Sequence, residues 1–220
     1  KNIVLDPVMV ATSGDPLLKA DAVATLRDEL IPHVRVITPN IPEAELLLGE
    51  KIESQESLPD AAKRLSERCG GISVLLKAGH LHDDELIDVF YNAESGQHLM
   101  LKSRRSSTVN THGTGCTLSS AFAAFLAHGH DLDRAATLAK NYIAAAIEAG
   151  ADYTIGQATG PSTTSTPFGN NPPQQPTKAG IGVTPTPMPA YPIQSATAYH
   201  IHLNQFGFLG SHTTNLAKNN

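Results

Sequence analysis

The chain has 220 residues, an ordinary apolar fraction of 40% and a formal net charge of −5. It is long enough to bury a sizeable core. It has neither the basic stripe of a nucleic-acid binder nor the roughly 20 consecutive apolar residues of a membrane span. Two cysteines do not make a disulfide framework, which favours a reduced, cytoplasmic setting. We therefore expect a globular protein that binds neither nucleic acid nor membrane.

The first part of the chain alternates apolar strand patterns with helical patterns. Asp15 before Pro16 is typical of a helix start, and Gly49 is typical of a helix end. Ser57 opens an S-x-x-D capping-box pattern. The predicted elements are, in order, a strand over 2–5, a helix over 16–30, a strand over 34–38, a short helix over 42–48 and a helix over 57–69.

The second part continues this alternation and then changes in composition. ISVLLKAG (72–79) is continuously apolar over its strand part, as expected of a strand that is covered on both faces. The further predictions are a hairpin of 86–92 with 98–104, a helix over 114–127 and a helix over 132–149 that Asp131 caps. Such an order predicts an α/β fold with parallel strands. Residues 161–220 are rich in Pro, Thr, Ser and Gln, which predicts a mostly disordered tail after a domain over 1–160.

The turn before the helix over 114–127 is the first candidate site. Gly113, Thr114 and Gly115 form a glycine turn, and Cys116 follows on the helix side. A helix N-terminus presents unpaired N–H groups to an anion and favours a thiolate, so we expect a lowered pKa for Cys116. An ordinary turn that leads to a small buried cysteine remains the alternative.

Polar side chains at the ends of predicted strands are the other candidates. In parallel sheets, ligands bind beyond the carboxyl ends of the strands. Asp6 and Lys77 lie there and suit a metal and phosphates, while Asn40 and Glu43 suit a magnesium ion held through water. The plain alternatives are a turn residue for Asp6 and a strand-end lysine that reaches water for Lys77. For Asn40 and Glu43 the alternative is an ordinary helix start.

Taken together, these segments resemble one family. VLDPVMVATSGDPLL, ITPNIPEAELLLG, LLKAGH and NTHGTGCTLSSA are similar to the hydroxymethylpyrimidine/phosphomethylpyrimidine kinases of thiamine biosynthesis, which belong to the ribokinase-like superfamily. Pyridoxal kinases share parts of the pattern. The resemblance covers roughly residues 2–156 and implies a three-layer α/β/α fold with a mostly parallel sheet. It also implies that ATP and Mg²⁺ are used, with a small pyrimidine as substrate.

The resemblance implies a role for each candidate residue. Cys116 stands where many ribokinase-like relatives have an aspartate, and it would accept the proton of the substrate hydroxymethyl group. The other implied roles are an anion hole for Gly113, Thr114 and Gly115, phosphate contacts for Asp6, Lys77 and Thr114, magnesium held through water for Asn40 and Glu43, and the pyrimidine pocket for Val8.

The resemblance also implies differences from complete family members. They carry further strands before the VLDPVMV segment, so we expect a truncated form with an exposed sheet edge and low activity. The parent enzyme is expected to be a homodimer. Which of the two phosphorylation steps it performs is left open, as are a non-catalytic nucleotide-binding fragment and a pyridoxal-kinase-type vitamin kinase. A thiol hydrolase that uses Cys116 with His112 is disfavoured, since no third group is evident to orient the histidine.

Overall fold

The structure is a computed structural model, and it describes residues 2–11, 14–78, 85–104, 108, 111, 113–151, 198–203 and 209–213. Its strands are β1 (Asn2–Asp6), β2 (Val36–Ile37), β3 (Ser73–Leu76), β4 (Glu85–Asn92), β5 (Gln97–Arg104), β6 (Ala198–Leu203) and β7 (Leu209–Thr213). Its α-helices are α1 (Ala20–Thr25), α2 (Ile41–Leu48), α3 (Leu58–Arg68), α4 (Thr114–Ala127) and α5 (Leu132–Gly150).

The seven strands form one mixed sheet in the order β5-β4-β3-β2-β1-β6-β7. β1, β2 and β3 are parallel neighbours, and β6 lies parallel to the other side of β1. The pairs β3–β4, β4–β5 and β6–β7 are antiparallel. The carboxyl ends of the three central strands therefore meet at one edge of the sheet, where the candidate residues of the sequence are expected.

Helices cover both faces of this sheet, which confirms the three-layer prediction. Successive strand residues point to opposite faces, so Leu5 and Ile37 pack into the core beneath α1, α2 and α3. Val4 and Val36 pack into a second core beneath α4 and α5. The central strands contribute apolar residues to both cores, so they are buried on both faces, as their continuous apolar runs predicted.

The first helix begins later than the sequence predicted. Pro16 forms an isolated antiparallel bridge with Val10, and the N–H of Leu17 donates to the carbonyl of Met9 at 2.8 Å. These contacts hold the segment against the loop after β1, and the α-helix starts only at Ala20. It then continues as a π-helical turn, Leu26–Leu30, and a 3₁₀ turn.

The predicted helix caps are confirmed in part. Asp131 accepts from the N–H of Arg134 at 2.8 Å, as expected for the cap of α5. Gly49 ends α2 in the left-handed conformation with φ +74°. The capping box at Ser57 is wrong, because a 3₁₀ turn precedes α3 and the Ser57 hydroxyl donates to the carbonyl of Ser54 at 2.8 Å.

The region after residue 160 contains two strands, which differs from the expected disorder at those positions. β6 pairs with β1 in the register Asn2↔Ala198 to Asp6↔His202, so the edge of β1 that was expected to be exposed has a partner. AYHIHL alternates in polarity, a strand signal that the surrounding composition obscures. The rest of 161–220 lies outside the described residues, and the division at residue 160 stays a prediction. Within the described ranges, no helix is long and apolar enough to cross a membrane.

Candidate active site

The ends of three parallel strands and the start of one helix form the candidate site. Asp6 ends β1, Thr38 follows β2 and Lys77 follows β3. The Thr38 N–H donates to the carbonyl of Leu5 at 3.0 Å, and the Lys77 N–H donates to that of Pro39 at 2.9 Å. Since these bonds extend the sheet beyond its strands, the positions of Asp6, Thr38 and Lys77 are set by the backbone.

The ammonium group of Lys77 is the centre of the site. Its Nζ lies 3.0 Å from Oδ1 of Asp6, whose side chain is almost fully buried. Burial works to lower the pKa of Lys77, but the charges of Asp6 and Glu43 outweigh it and leave that pKa raised. Lys77 is therefore a protonated cation in contact with Asp6, as the sequence prediction of one Asp6–Lys77 cluster requires.

The glycine turn faces this ammonium group. Gly113 caps α4 with φ +79°, a conformation that L side chains rarely adopt. Gly115 is needed for a different reason, because a Cβ there would lie 3.1 Å from Nζ of Lys77. No side chain caps α4, and the Thr114 N–H donates to the carbonyl of Thr111 at 3.4 Å. The N–H groups of Gly115 and Cys116, which follow in the first turn, can be offered to an anion. This end of the helix can therefore bind an anion together with Lys77.

Cys116 follows the turn and is half-buried. Burial raises the pKa of its thiol to about 11, and the negative charge of Asp6 and a hydrogen bond to it act in the same direction, against the charge of Lys77. The sequence-based expectation of a lowered pKa is therefore wrong for this state of the site. The helix N-terminus favours a thiolate, but burial and a neighbouring carboxylate have the larger effect.

Asn40 and Glu43 form a reciprocal capping box at the start of α2. Oδ1 of Asn40 accepts from the N–H of Glu43 at 2.9 Å, and Oε2 of Glu43 accepts from that of Asn40 at 2.8 Å. Oε1 of Glu43 accepts from the N–H of Met9 at 3.3 Å, which joins α2 to the loop after β1. Burial raises the pKa of Glu43, although Lys77 partly offsets it. The helix-start alternative is therefore present in the structure, whatever further role the two residues have.

A magnesium ion held through water fits these residues. Asp6 contacts Lys77, Lys77 is bridged to Asn40, and Glu43 accepts from the loop after β1, so the two carboxylates lie at the same edge of the sheet. Each oxygen of Glu43 accepts one backbone N–H and keeps a second lone pair. Among the described residues, no three His, Cys, Asp or Glu side chains are grouped closely enough to hold a metal directly. Carboxylate oxygen with several retained waters is the arrangement that Mg²⁺ prefers.

Sequence reasoning missed two buried hydroxyl groups in this site. The Oγ1 of Thr38 and the Oγ of Ser119 are 2.7 Å apart, and both residues are fully buried. Thr38 also lies within hydrogen-bonding distance of Asp6, with Oγ1 3.3 Å from Oδ1. A polar residue at the end of a buried strand, and a serine on the apolar side of a helix, were the available signals.

Val8 and His112 are the remaining positions that the sequence analysis named. Val8 is half-buried in the loop between Asp6 and Met9, so it lies at the same edge of the sheet. His112 lies outside the described residues.

The fold and the strand-end site together define a protein of the ribokinase-like class. The structure is similar to a pyridoxal kinase of Bacillus subtilis solved as an ADP complex, with TM-score 0.64, 32% identity, and coverage of 75% of this chain and 59% of that one. It is also similar to a phosphomethylpyrimidine kinase of Clostridium difficile 630, with TM-score 0.54, 36% identity, and coverage of 66% and 56%.

The sequence comparisons specify the family. The model for phosphomethylpyrimidine kinase matches residues 1–163, so the chain belongs to this family. The hydroxymethylpyrimidine/phosphomethylpyrimidine kinase of Rhizobium meliloti (strain 1021) is 47% identical over 161 residues, which are 73% of this chain and 60% of that relative. The chain thus spans about three fifths of the length of this curated relative.

Proposed function

We propose that the chain carries the phosphate-binding part of an ATP-dependent kinase. Its substrates would be 4-amino-5-hydroxymethyl-2-methylpyrimidine, the monophosphate of this alcohol, or both, in thiamine diphosphate biosynthesis. One observation carries the proposal: Nζ of Lys77 lies 3.0 Å from Asp6 and directly against Gly115, in the turn that precedes Cys116. Membership of the phosphomethylpyrimidine kinase family supports the choice of substrate.

Charge compensation is the main task that we assign to the site. Phosphoryl transfer depends on positioning and on neutralising oxygens rather than on covalent chemistry by the protein. Lys77 would contact the donor phosphates as a point charge. The N–H groups of the turn from Gly113 to Cys116 would bind the transferred phosphate, with Thr114 as a further contact. The close approach of Lys77 to Gly115 supports this, since one anion could contact both.

Cys116 would take the proton of the hydroxymethyl group. A base must lie within hydrogen-bond reach of that proton and must be able to hold it. With a pKa of about 11, the thiol is neutral at pH 7. Its use as a base therefore requires the effect of burial, and then that of the charge of Asp6, to be offset when substrates bind. Lys77 already acts in that direction, and its charge lowers the pKa of Cys116.

A magnesium ion would supply additional positive charge to the donor phosphates. We propose that Asn40 and Glu43 hold it through water, with Asp6 nearby. The free lone pairs on the two oxygens of Glu43 support this assignment. We place Val8 in the pyrimidine pocket because it lies in the loop that connects Asp6 to Met9. A homodimeric parent and a cytoplasmic location complete the proposal, the latter because Cys69 and Cys116 are both free thiols.

A pyridoxal-kinase-type activity is the second candidate. The similarity to the pyridoxal kinase of Bacillus subtilis, with TM-score 0.64, favours it. A nucleotide-binding chain without transfer activity is the remaining alternative, because the chain spans only 60% of its relative.

The test measures binding and transfer separately on the full chain. Calorimetry gives the affinity for MgATP, and mass spectrometry detects phosphorylated product from each pyrimidine and from pyridoxal. We expect transfer to a pyrimidine, and a loss of turnover of about 100-fold or more in Cys116→Ala, as for removal of a general base. Ser120→Ala is the matched control, because Ser120 is exposed in the same helix and its hydroxyl donates to the carbonyl of Cys116.

Each outcome decides between the alternatives. Transfer to pyridoxal alone would support the second candidate, and MgATP binding without any product would support the non-catalytic one. Equal turnover in Cys116→Ala and in the unmodified chain would exclude the thiol as the base.

A further inference from the structure

A pair of buried hydroxyl groups connects the acidic end of the site to its anion-binding turn. Thr38 Oγ1 and Ser119 Oγ are 2.7 Å apart, although the residues are 81 positions apart in the chain. On one side, Thr38 reaches Oδ1 of Asp6 at 3.3 Å and the carbonyl of Leu5 at 3.4 Å. On the other, Ser119 reaches the carbonyl of Gly115 at 3.0 Å.

The number of hydrogens in this pair limits its arrangements. Each hydroxyl has one hydrogen to donate. Ser119 can donate to Thr38, which then donates to Asp6 or to the carbonyl of Leu5. Alternatively, Thr38 donates to Ser119, which then donates to the carbonyl of Gly115. Both residues are fully buried, so each hydroxyl hydrogen is expected to have an acceptor within the protein.

A comparison with Ser120 separates the contact between Thr38 and Ser119 from the bond that serines usually make within a helix. Serines in helices commonly bond the carbonyl four residues earlier. Ser119 and Ser120 both do so, to Gly115 and Cys116 respectively. Ser120 is exposed, whereas Ser119 also crosses to another element of the fold. The contact of Ser119 with Thr38 at the end of β2 is therefore additional to the bond that a helical serine usually makes.

We propose that Thr38 and Ser119 are positioning residues that hold the first turn of α4 at a fixed distance from Asp6. The inference rests on the proposed function, because that turn is the assigned phosphate site. The two directions of donation differ only in the positions of hydrogens, so the contact between Thr38 and Ser119 is kept in either one.

The reactivity of Cys116 tests this proposal without requiring kinase activity. The rate of alkylation by iodoacetamide is measured at pH 8 on the folded full chain, with peptide mass spectrometry to separate Cys116 from the buried Cys69. Ser119→Ala frees the first turn from Asp6, so Cys116 should become more accessible. We expect alkylation to be about fivefold faster, in line with the loss of one buried hydrogen bond. The matched control Ser120→Ala should stay within about twofold of the unmodified chain.

Variants at Thr38 test the other end of the link. Thr38→Val should also speed alkylation, but less, because losing a donor to Asp6 leaves that charge acting more strongly against the thiolate. Thr38→Ser keeps the hydroxyl and should restore the original rate. In any active preparation, Ser119→Ala should lower kcat while the KM for ATP changes little, because the turn acts on the phosphate in transit.

The outcomes for this proposal and for the proposed function are separable. Equal alkylation rates in Ser119→Ala and Ser120→Ala would overturn the positioning role, even in a confirmed kinase. Faster alkylation in Ser119→Ala than in the control Ser120→Ala would support the positioning role, even in a chain that transfers no phosphate. Ser119→Ala is expected to fold, because alanine has a high helix propensity, so the test does not depend on Thr38→Val.

Discussion

Among the described residues, two largely buried lysine–aspartate pairs differ in their surroundings. Lys140 of α5 lies 2.7 Å from Asp88 of β4, and the second oxygen of Asp88 accepts a backbone N–H at 2.8 Å. Lys77 lies 3.0 Å from Asp6, but Glu43 and Cys116 also act on its charge. The first pair is balanced, whereas the second has more acidic groups than cations. The excess of acidic groups, rather than the burial of the pair, is what distinguishes the Asp6–Lys77 pair as part of a candidate site.

Removing the lysine from the balanced pair should have the largest effect. Lys140→Met leaves Asp88 buried without its cation, and we expect a loss of about 3–5 kcal/mol in the free energy of unfolding, measured by urea denaturation. The double variant Lys140→Met/Asp88→Asn should recover most of this loss, because the amide oxygen still accepts the backbone N–H. No recovery in the double variant would mean that packing by the lysine stem, rather than the charge, is responsible.

The same change in the other pair should cost less stability. Lys77→Met leaves Asp6 and Glu43 without their shared cation, but Glu43 already has a raised pKa and can take up a proton. We expect a loss of about 1–2 kcal/mol in the free energy of unfolding, measured by urea denaturation. We also expect complete loss of MgATP binding, measured by calorimetry. A loss as large as that of Lys140→Met would remove the distinction between the two pairs.

Substitutions at Gly115 and Gly113 should separate effects on MgATP binding from effects on the free energy of unfolding. Gly115→Ala forces the flexible end of Lys77 away from 3.1 Å, so MgATP should bind about tenfold more weakly, as for a lost charged contact. The free energy of unfolding should change little or rise by about 0.5 kcal/mol, because alanine favours a helix.

Gly113→Ala is the matched control for this prediction. Its φ of +79° is strained for alanine, so it should lower the free energy of unfolding by about 1 kcal/mol. If Gly115→Ala lowers the free energy of unfolding as much as Gly113→Ala does, or leaves MgATP binding unchanged, the proposed reason for Gly115 is incorrect.

The smallest expected effect is the pH dependence of Cys116 alkylation. It shows whether burial and Asp6, or the N-terminus of α4, dominate the pKa of this thiol. The rate of alkylation should rise about tenfold per pH unit from pH 7, with a midpoint near pH 11. Since the folded pKa lies above the value of 9.0 for an ordinary thiol, this group stabilises the fold below pH 9 and the contribution is lost as pH rises through about 11. A midpoint below pH 9 would show that the helix N-terminus dominates after all.

Much of the site could be predicted from local sequence. Asp6 and Lys77 end strands, and parallel strands bring such ends together, so their proximity follows from the alternation of elements. The raised pKa of Cys116 could not be predicted in this way, because it depends on burial and on Asp6, which lies 110 positions earlier. The contact between Thr38 and Ser119 is likewise non-local. The two late strands were missed because their pattern is short and lies within a biased composition.

The backbone N–H that Asp88 accepts belongs to Ala78, the residue directly after Lys77. The balanced pair thus clamps the main chain beside the cation of the unbalanced one. A protein engineer could use this connection, because a substitution at Lys140 of α5 would act on Asp88 and, through it, on the backbone beside Lys77. The position of the Lys77 ammonium group could then be adjusted without changing any residue at the strand ends.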